Sequence, residues 1–151
     1  MRLTTFTDYA MRVLLHAATQ PGERSTIAEV AAAYGISAHH VVKVVHQLGR
    51  AGFLRTSRGK GGGFALASPP EGIRVGDVVR AMEGDLAPVQ CVSRQGLRCA
   101  IVADCALVGV LDGAMRAFLG VLDGCTLADL LAGERRSAVT LTLHPPPKAI
   151  A

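Results

Sequence analysis

Tryptophan is absent from the 151 residues, and only 4% of the chain is aromatic. Half of it is hydrophobic, so the core this chain builds is aliphatic, which suits packed helices. The length allows one domain, or one domain with an appendage. No apolar run reaches the roughly 20 residues that span a bilayer. Val13-Leu14-Leu15 is flanked by Asp8, Arg12 and His16, which interrupt any signal-peptide core. The expected location is therefore the cytoplasm, away from membranes, where thiols stay reduced and a disulfide is disfavoured. Acidic residues are missing from 37 to 70, a stretch holding Lys43, Arg50, Arg55, Arg58 and Lys60. There is no G-x-x-x-x-G-K-[ST] loop for nucleotide phosphates and no C-x-x-C pair for a zinc ribbon or a thiol redox enzyme. A nucleophile–base–acid set is missing too, so enzyme chemistry is not expected.

What is present begins with helices. Phe6, Ala10, Val13, Leu14 and Ala17 recur at helical spacing over 5–19, with Asp8 in the first turn at the positive end of the helix dipole. Pro21-Gly22 ends that helix. Ser25-Thr26 caps a second, Ile27 to Tyr34, closed by Gly35. Ser37 caps a third, running to about Ala51, with Val41, Val42, Val45 and Leu48 inward. Helix, short glycine turn and capped helix form the helix-turn-helix pattern. A strand over 53–58, a glycine tip over 59–63 and a return strand over 64–67 follow. The predicted fold is mainly α with a small β-hairpin: a winged helix-turn-helix domain plus a long dimerisation helix.

Further along, a helix from Val75 to Met82 packs on the winged domain. Asp104 caps a long helix of roughly 105–122, whose stripe is Leu107, Leu111, Met115, Phe118 and Leu122. That stripe is either a seam between two copies or intrachain core. A short helix, Leu127 to Leu131, ends the ordered part. The expected organisation is a DNA-binding domain over 1–83, a cysteine loop over 84–105, dimerisation and last helices over 106–132, and a flexible tail over 133–151.

Two sites stand out. In a helix-turn-helix the second helix enters the major groove with its N-terminal residues at base edges. Ser37, His39, His40 and Gln47 can read bases, and Lys43 and Arg50 can meet phosphates. Arg55, Arg58 and Lys60 of the wing reach backbone or minor groove. A basic block of this kind is the footprint of a polyanion binder, here double-stranded DNA. A two-fold dimer reads a roughly palindromic operator. His16 and His46 are expected to be partly buried.

The second site is C-x7-C-x5-C, made by Cys91, Cys99 and Cys105. These thiols are either small buried hydrophobes or soft ligands for zinc, copper(I) or an iron–sulfur cluster. Three is an incomplete set for a four-ligand centre, so a fourth ligand comes from elsewhere. Cys125 reads as structural. A zinc-stabilised interaction module with no DNA role is the alternative of a different class.

The start MRLTTFTDYAMRVLLHAA, the segment ISAHHVVKVVHQLGRAGFL, the wing RTSRGKGGGFAL and the three cysteines after VGDVVRAMEG together resemble a family of bacterial winged-helix iron–sulfur regulators. The likeness covers about residues 1–132 and is to the NsrR type, the nitric-oxide-sensing transcriptional repressors; the family also includes IscR. The resemblance implies a homodimer with one cluster per subunit, of the 4Fe–4S type. It implies Cys91, Cys99 and Cys105 as ligands, with the fourth position filled by Asp8 of the partner subunit. Nitric oxide is then the signal, and nitrosylation of the cluster releases DNA. IscR-like members instead hold a 2Fe–2S cluster with a histidine three residues after the third cysteine. Val108 stands at that position here. The seven-residue gap between Cys91 and Cys99 also departs from the IscR-like spacing of five. A 2Fe–2S centre in a regulator of iron–sulfur supply or redox state is the alternative within the family.

Overall fold

The computed structural model describes residues 2–20, 22–57, 59, 61–87, 89, 101, 105–133 and 142–143. The elements are α1 (Thr5–Thr19), α2 (Ile27–Tyr34), α3 (Ala38–Arg50), β1 (Leu54–Ser57), β2 (Gly63–Leu66), a 3-10 turn (Pro70–Gly72), α4 (Val75–Glu83), α5 (Ala106–Asp123) and α6 (Leu127–Leu130).

Helix α1 is the centre of the packing. Its start is fixed by Thr4, whose side chain accepts from the Thr7 amide. Thr4 also donates its own amide to Glu83 Oε1 at 2.7 Å, tying this end to α4. Ala10, Val13, Leu14 and Ala17 are buried as their spacing predicts. His16 is fully buried rather than partly so, with Nδ1 at 3.1 Å from Ser25 Oγ. Helix α2 carries a reciprocal cap in which Thr26 accepts from the Glu29 amide while Glu29 accepts from the Thr26 amide. Ser25 is not part of that cap. It forms a two-way backbone bridge with Phe64, each amide donating to the other's carbonyl at 2.9 Å.

The wing is an antiparallel pair with Leu54 opposite Leu66 and Ser57 opposite Gly63. Ser25 extends it by one residue on the β2 side, so the hairpin is stitched to the connection between α1 and α2. Gly63 is required there, because a Cβ would come within 2.5 Å of the Ser25 carbonyl.

Helix α5 joins the rest through α4 and the chain just beyond its own end. The Val75 amide donates to the Cys125 carbonyl at 2.9 Å, and the Leu127 amide to the Ile73 carbonyl at 2.8 Å. Arg80 donates through both terminal nitrogens to the Asp123 carboxylate, each at 2.6 Å. That approach needs Gly76, whose absent Cβ would collide with Asp123. The Arg80 hydrogen bond holds the Asp123 carboxyl below its ordinary range. The expected cap Asp104 lies outside the described residues, and the N-cap position of α5 is Cys105, with no side-chain cap bond. No residue of α5 is buried, and none joins the hydrophobic core. Of its predicted stripe, Leu111, Met115, Phe118 and Leu122 are half-buried and Leu107 is exposed among the described residues. Most of the cysteine loop, and the tail but for 133 and 142–143, lie outside the described residues.

Two outcomes follow from these joints. Gly63→Ala forces the wing away from Ser25 and lowers unfolding stability in urea by about 1–3 kcal/mol, the usual cost of overpacking. The lowered Asp123 pKa means that the pair stabilises the fold fully above about pH 4. Its contribution is lost as pH falls through the depressed value. Asp123→Asn should show a shallower loss of melting temperature on acidification than the parent.

Candidate nucleic-acid interface and metal centre

The turn into α3 is built by Gly35 and Ile36. Gly35 takes a left-handed conformation, φ 62°, which a glycine adopts without strain. Ile36 is buried and closes the gap between α2 and α3. Ser37 then caps α3, accepting from the His40 amide, and its Oγ lies 2.9 Å from His40 Nδ1.

Val41, Val44, Val45 and Leu48 face the core. This corrects the expected inward set: Val44 replaces Val42, which is 51% exposed on the opposite face. Around Val42 that face carries the exposed Ala38, His39, Lys43, His46 and Arg50. His46, expected to be partly buried, is exposed. His40 is exposed but turned toward α1, with its ring 6.0 Å from that of Tyr9. Gln47 is half-buried at the edge of the face. On the wing, Arg55 is exposed on β1, while Arg58 and Lys60 lie outside the described residues. Arg24, which sequence reasoning did not single out, donates to the Gly61 carbonyl at 3.3 Å and braces the wing tip. Its only sequence signal is a positive charge between Glu23 and Ser25, which is not distinctive.

Of the predicted metal ligands, Cys91 and Cys99 lie outside the described residues. Cys105 is half-buried at the start of α5. A thiolate there faces the positive end of the helix dipole. Asp8 is exposed on α1 and held by an i,i+4 ion pair with Arg12 at 2.9 Å. An exposed pair of this kind is worth little, so the carboxylate is free to serve another partner. Among the described residues, no three His, Cys, Asp or Glu side chains come together as a metal site. Cys125 is half-buried, its Sγ 3.6 Å from the Thr126 carbonyl.

The Rrf2 family, described as iron-dependent transcriptional regulators, matches residues 3–133. The chain belongs to the Rrf2 family. It is 46% identical over 135 residues to the HTH-type transcriptional regulator NsrR of Bacillus subtilis, covering 89% of this chain and 92% of that one. It is 41% identical to the NsrR regulator of Halalkalibacterium halodurans, covering 96% of this chain and all of the other. Among solved structures, IscR of T. potens overlays with a TM-score of 0.70 at 27% identity, covering 89% and 90% of the two chains. CymR, the global cysteine regulator of B. subtilis, overlays at 0.65 with 26% identity, covering 86% and 95%. This Rrf2 chain is thus a DNA-binding transcriptional regulator of winged-helix fold and not an enzyme. No helix of its described residues is long and apolar enough to cross a membrane.

If Arg50 and Arg55 each meet a phosphate, Arg50→Ala and Arg55→Ala each lower the slope of log affinity against log salt by about 0.9. Fluorescence anisotropy on duplex DNA across a salt series measures it.

Proposed function

We propose that this Rrf2 regulator is a cytoplasmic repressor that senses nitric oxide through an iron–sulfur cluster and releases its operator when the cluster is nitrosylated. The observation that carries the reading is the similarity to regulators named NsrR, which runs nearly the full length of both chains. The chain acts as a homodimer on a palindromic operator, with one 4Fe–4S cluster per subunit. Residues 1–83 bind DNA, 84–105 form the ligand loop, and 106–132 bring two copies together.

Cys91, Cys99 and Cys105 hold the cluster as thiolates, and Asp8 of the partner subunit completes the set. The donor chemistry fits: three soft sulfurs suit iron–sulfur ligation, and the exposed Asp8 carboxylate is held by a surface pair with Arg12. When bound, the cluster supplies iron that reacts with nitric oxide. A carboxylate is the hard member of such a set, so Asp8 would be its most labile ligand. Without the cluster Asp8 would keep its pair with Arg12, and the tie between one subunit's α1 and the other's loop would be lost. The separation of the two α3 helices is then no longer fixed. Ser37, His39, His40, Lys43, Gln47, Arg50, Arg55, Arg58 and Lys60 form the DNA-facing set. The exposed flank of α5 supports the role of 106–132, since Leu107, Val110 and Val121 are 55%, 66% and 74% exposed.

The test is an anaerobic titration with nitric oxide that follows visible absorbance and operator binding together. The expected result is bleaching of the cluster band in step with a drop in affinity of about 5- to 150-fold, the usual range of such couplings. Asp8→Ala should weaken cluster retention and flatten that response. A chain that stays colourless after reconstitution with iron and sulfide sinks the cluster, and only the DNA-binding regulator remains.

A further inference from the structure

Val42 is the one large aliphatic side chain of α3 that the fold does not use. Its four aliphatic neighbours on the helix, Val41, Val44, Val45 and Leu48, are at most 6% exposed, whereas Val42 is 51% exposed. Neither helix propensity nor water favours a β-branched residue there. On the surface of a helix, residues three and four apart are neighbours. By that spacing Val42 lies between Ala38 and His39 on one side and His46 on the other, all exposed. This is the middle of the outward face, one turn in from the Ser37 cap. No acidic residue lies anywhere from 37 to 70 to repel a phosphate backbone.

We infer that Val42 reads the C5-methyl group of a thymine in the major groove. The inference rests on α3 being the groove-facing helix. A valine side chain has no donor or acceptor, so it cannot satisfy the hydrogen-bonding edges of guanine, cytosine or adenine. The thymine methyl is the one apolar feature that a base pair displays in that groove. Helical backbone fixes the valine χ1 in a single dominant rotamer, so its methyls are held in place before binding. Ala38, a turn earlier, is small enough to let the helix come close. His39 and His46 flank the contact and supply the hydrogen bonds that Val42 cannot. Val42 is thus a specificity-determining residue: it selects an A·T pair at one position of each half-site and disfavours a G·C pair, which leaves its methyls against polar atoms.

The experiment uses the full chain, reconstituted anaerobically with iron and sulfide, and the duplex it selects from a random library. Each thymine of one half-site, on either strand, is replaced singly by deoxyuridine, which removes only the methyl group. The parent should lose about fourfold in affinity at one thymine, the worth of one buried carbon group. Val42→Ala should bind the unmodified duplex about as weakly as the parent binds that uracil duplex, and should lose nothing further at that position. Thermal unfolding and binding to unselected DNA at low salt, both unchanged in Val42→Ala, exclude a folding defect. If the parent tolerates uracil at every position, or if Val42→Ala keeps the same methyl sensitivity, Val42 is not the reader. If the parent selects no duplex at all, the groove-facing assignment of α3 falls with it.

Discussion

Helix α1 touches α2, α3, α4, β2 and α6, and its Ala10, Val13 and Leu14 are wholly withdrawn from water. These five elements pack against this one rod, while α5 packs against α4. The recognition face of α3 is therefore aimed by a simple division of its own residues. Val41, Val44, Val45 and Leu48 must go to α1 and its neighbours, and whatever remains must face out. The same helix carries Asp8 on its exposed side, one residue before Tyr9, whose ring meets His40. One element thus aims the proposed DNA-facing helix and presents the proposed iron ligand.

Much of this was legible in the sequence because the signals were local. Helical spacing gave α1 and α2, Ser37 gave the start of α3, and the glycines between two short apolar runs gave the wing. The errors fell where local pattern is degenerate. Val41-Val42-Lys43-Val44-Val45 allows an inward set through 42 or through 44, since both keep helical spacing with 41, 45 and 48. Only the packing of α3 on α1 decides between them. The bridge of Ser25 to Phe64 joins residues far apart in sequence through backbone groups alone, and backbone groups leave no mark on residue type. The full burial of His16 follows from that same bridge, because it brings the Ser25 hydroxyl to the imidazole.

The candidate metal centre is suggested by the sequence as chemistry and not as assembly. Three thiols with odd spacing announce soft ligation, but their count is one short. The proposed completing group is a carboxylate on a helix where an acid is already favoured by the dipole. Such a residue has two sufficient explanations, and the chain alone cannot separate them. The same holds for α5. Its stripe was visible, yet only the packing shows that, among the described residues, no α5 side chain joins the buried core.

The joints of this molecule are largely main-chain: Ser25 with Phe64, Val75 with Cys125, and Ile73 with Leu127. Side chains can change at such joints without undoing them. A scaffold held this way tolerates wide drift, which accords with overlays onto regulators only 26% and 27% identical to it. New sensing loops and new recognition faces can be tried on it cheaply. The exception is Gly63, where the backbone carbonyl of Ser25 leaves no room for a side chain. Evolution can rewrite what this frame reads and what it senses far more freely than it can rewrite that position.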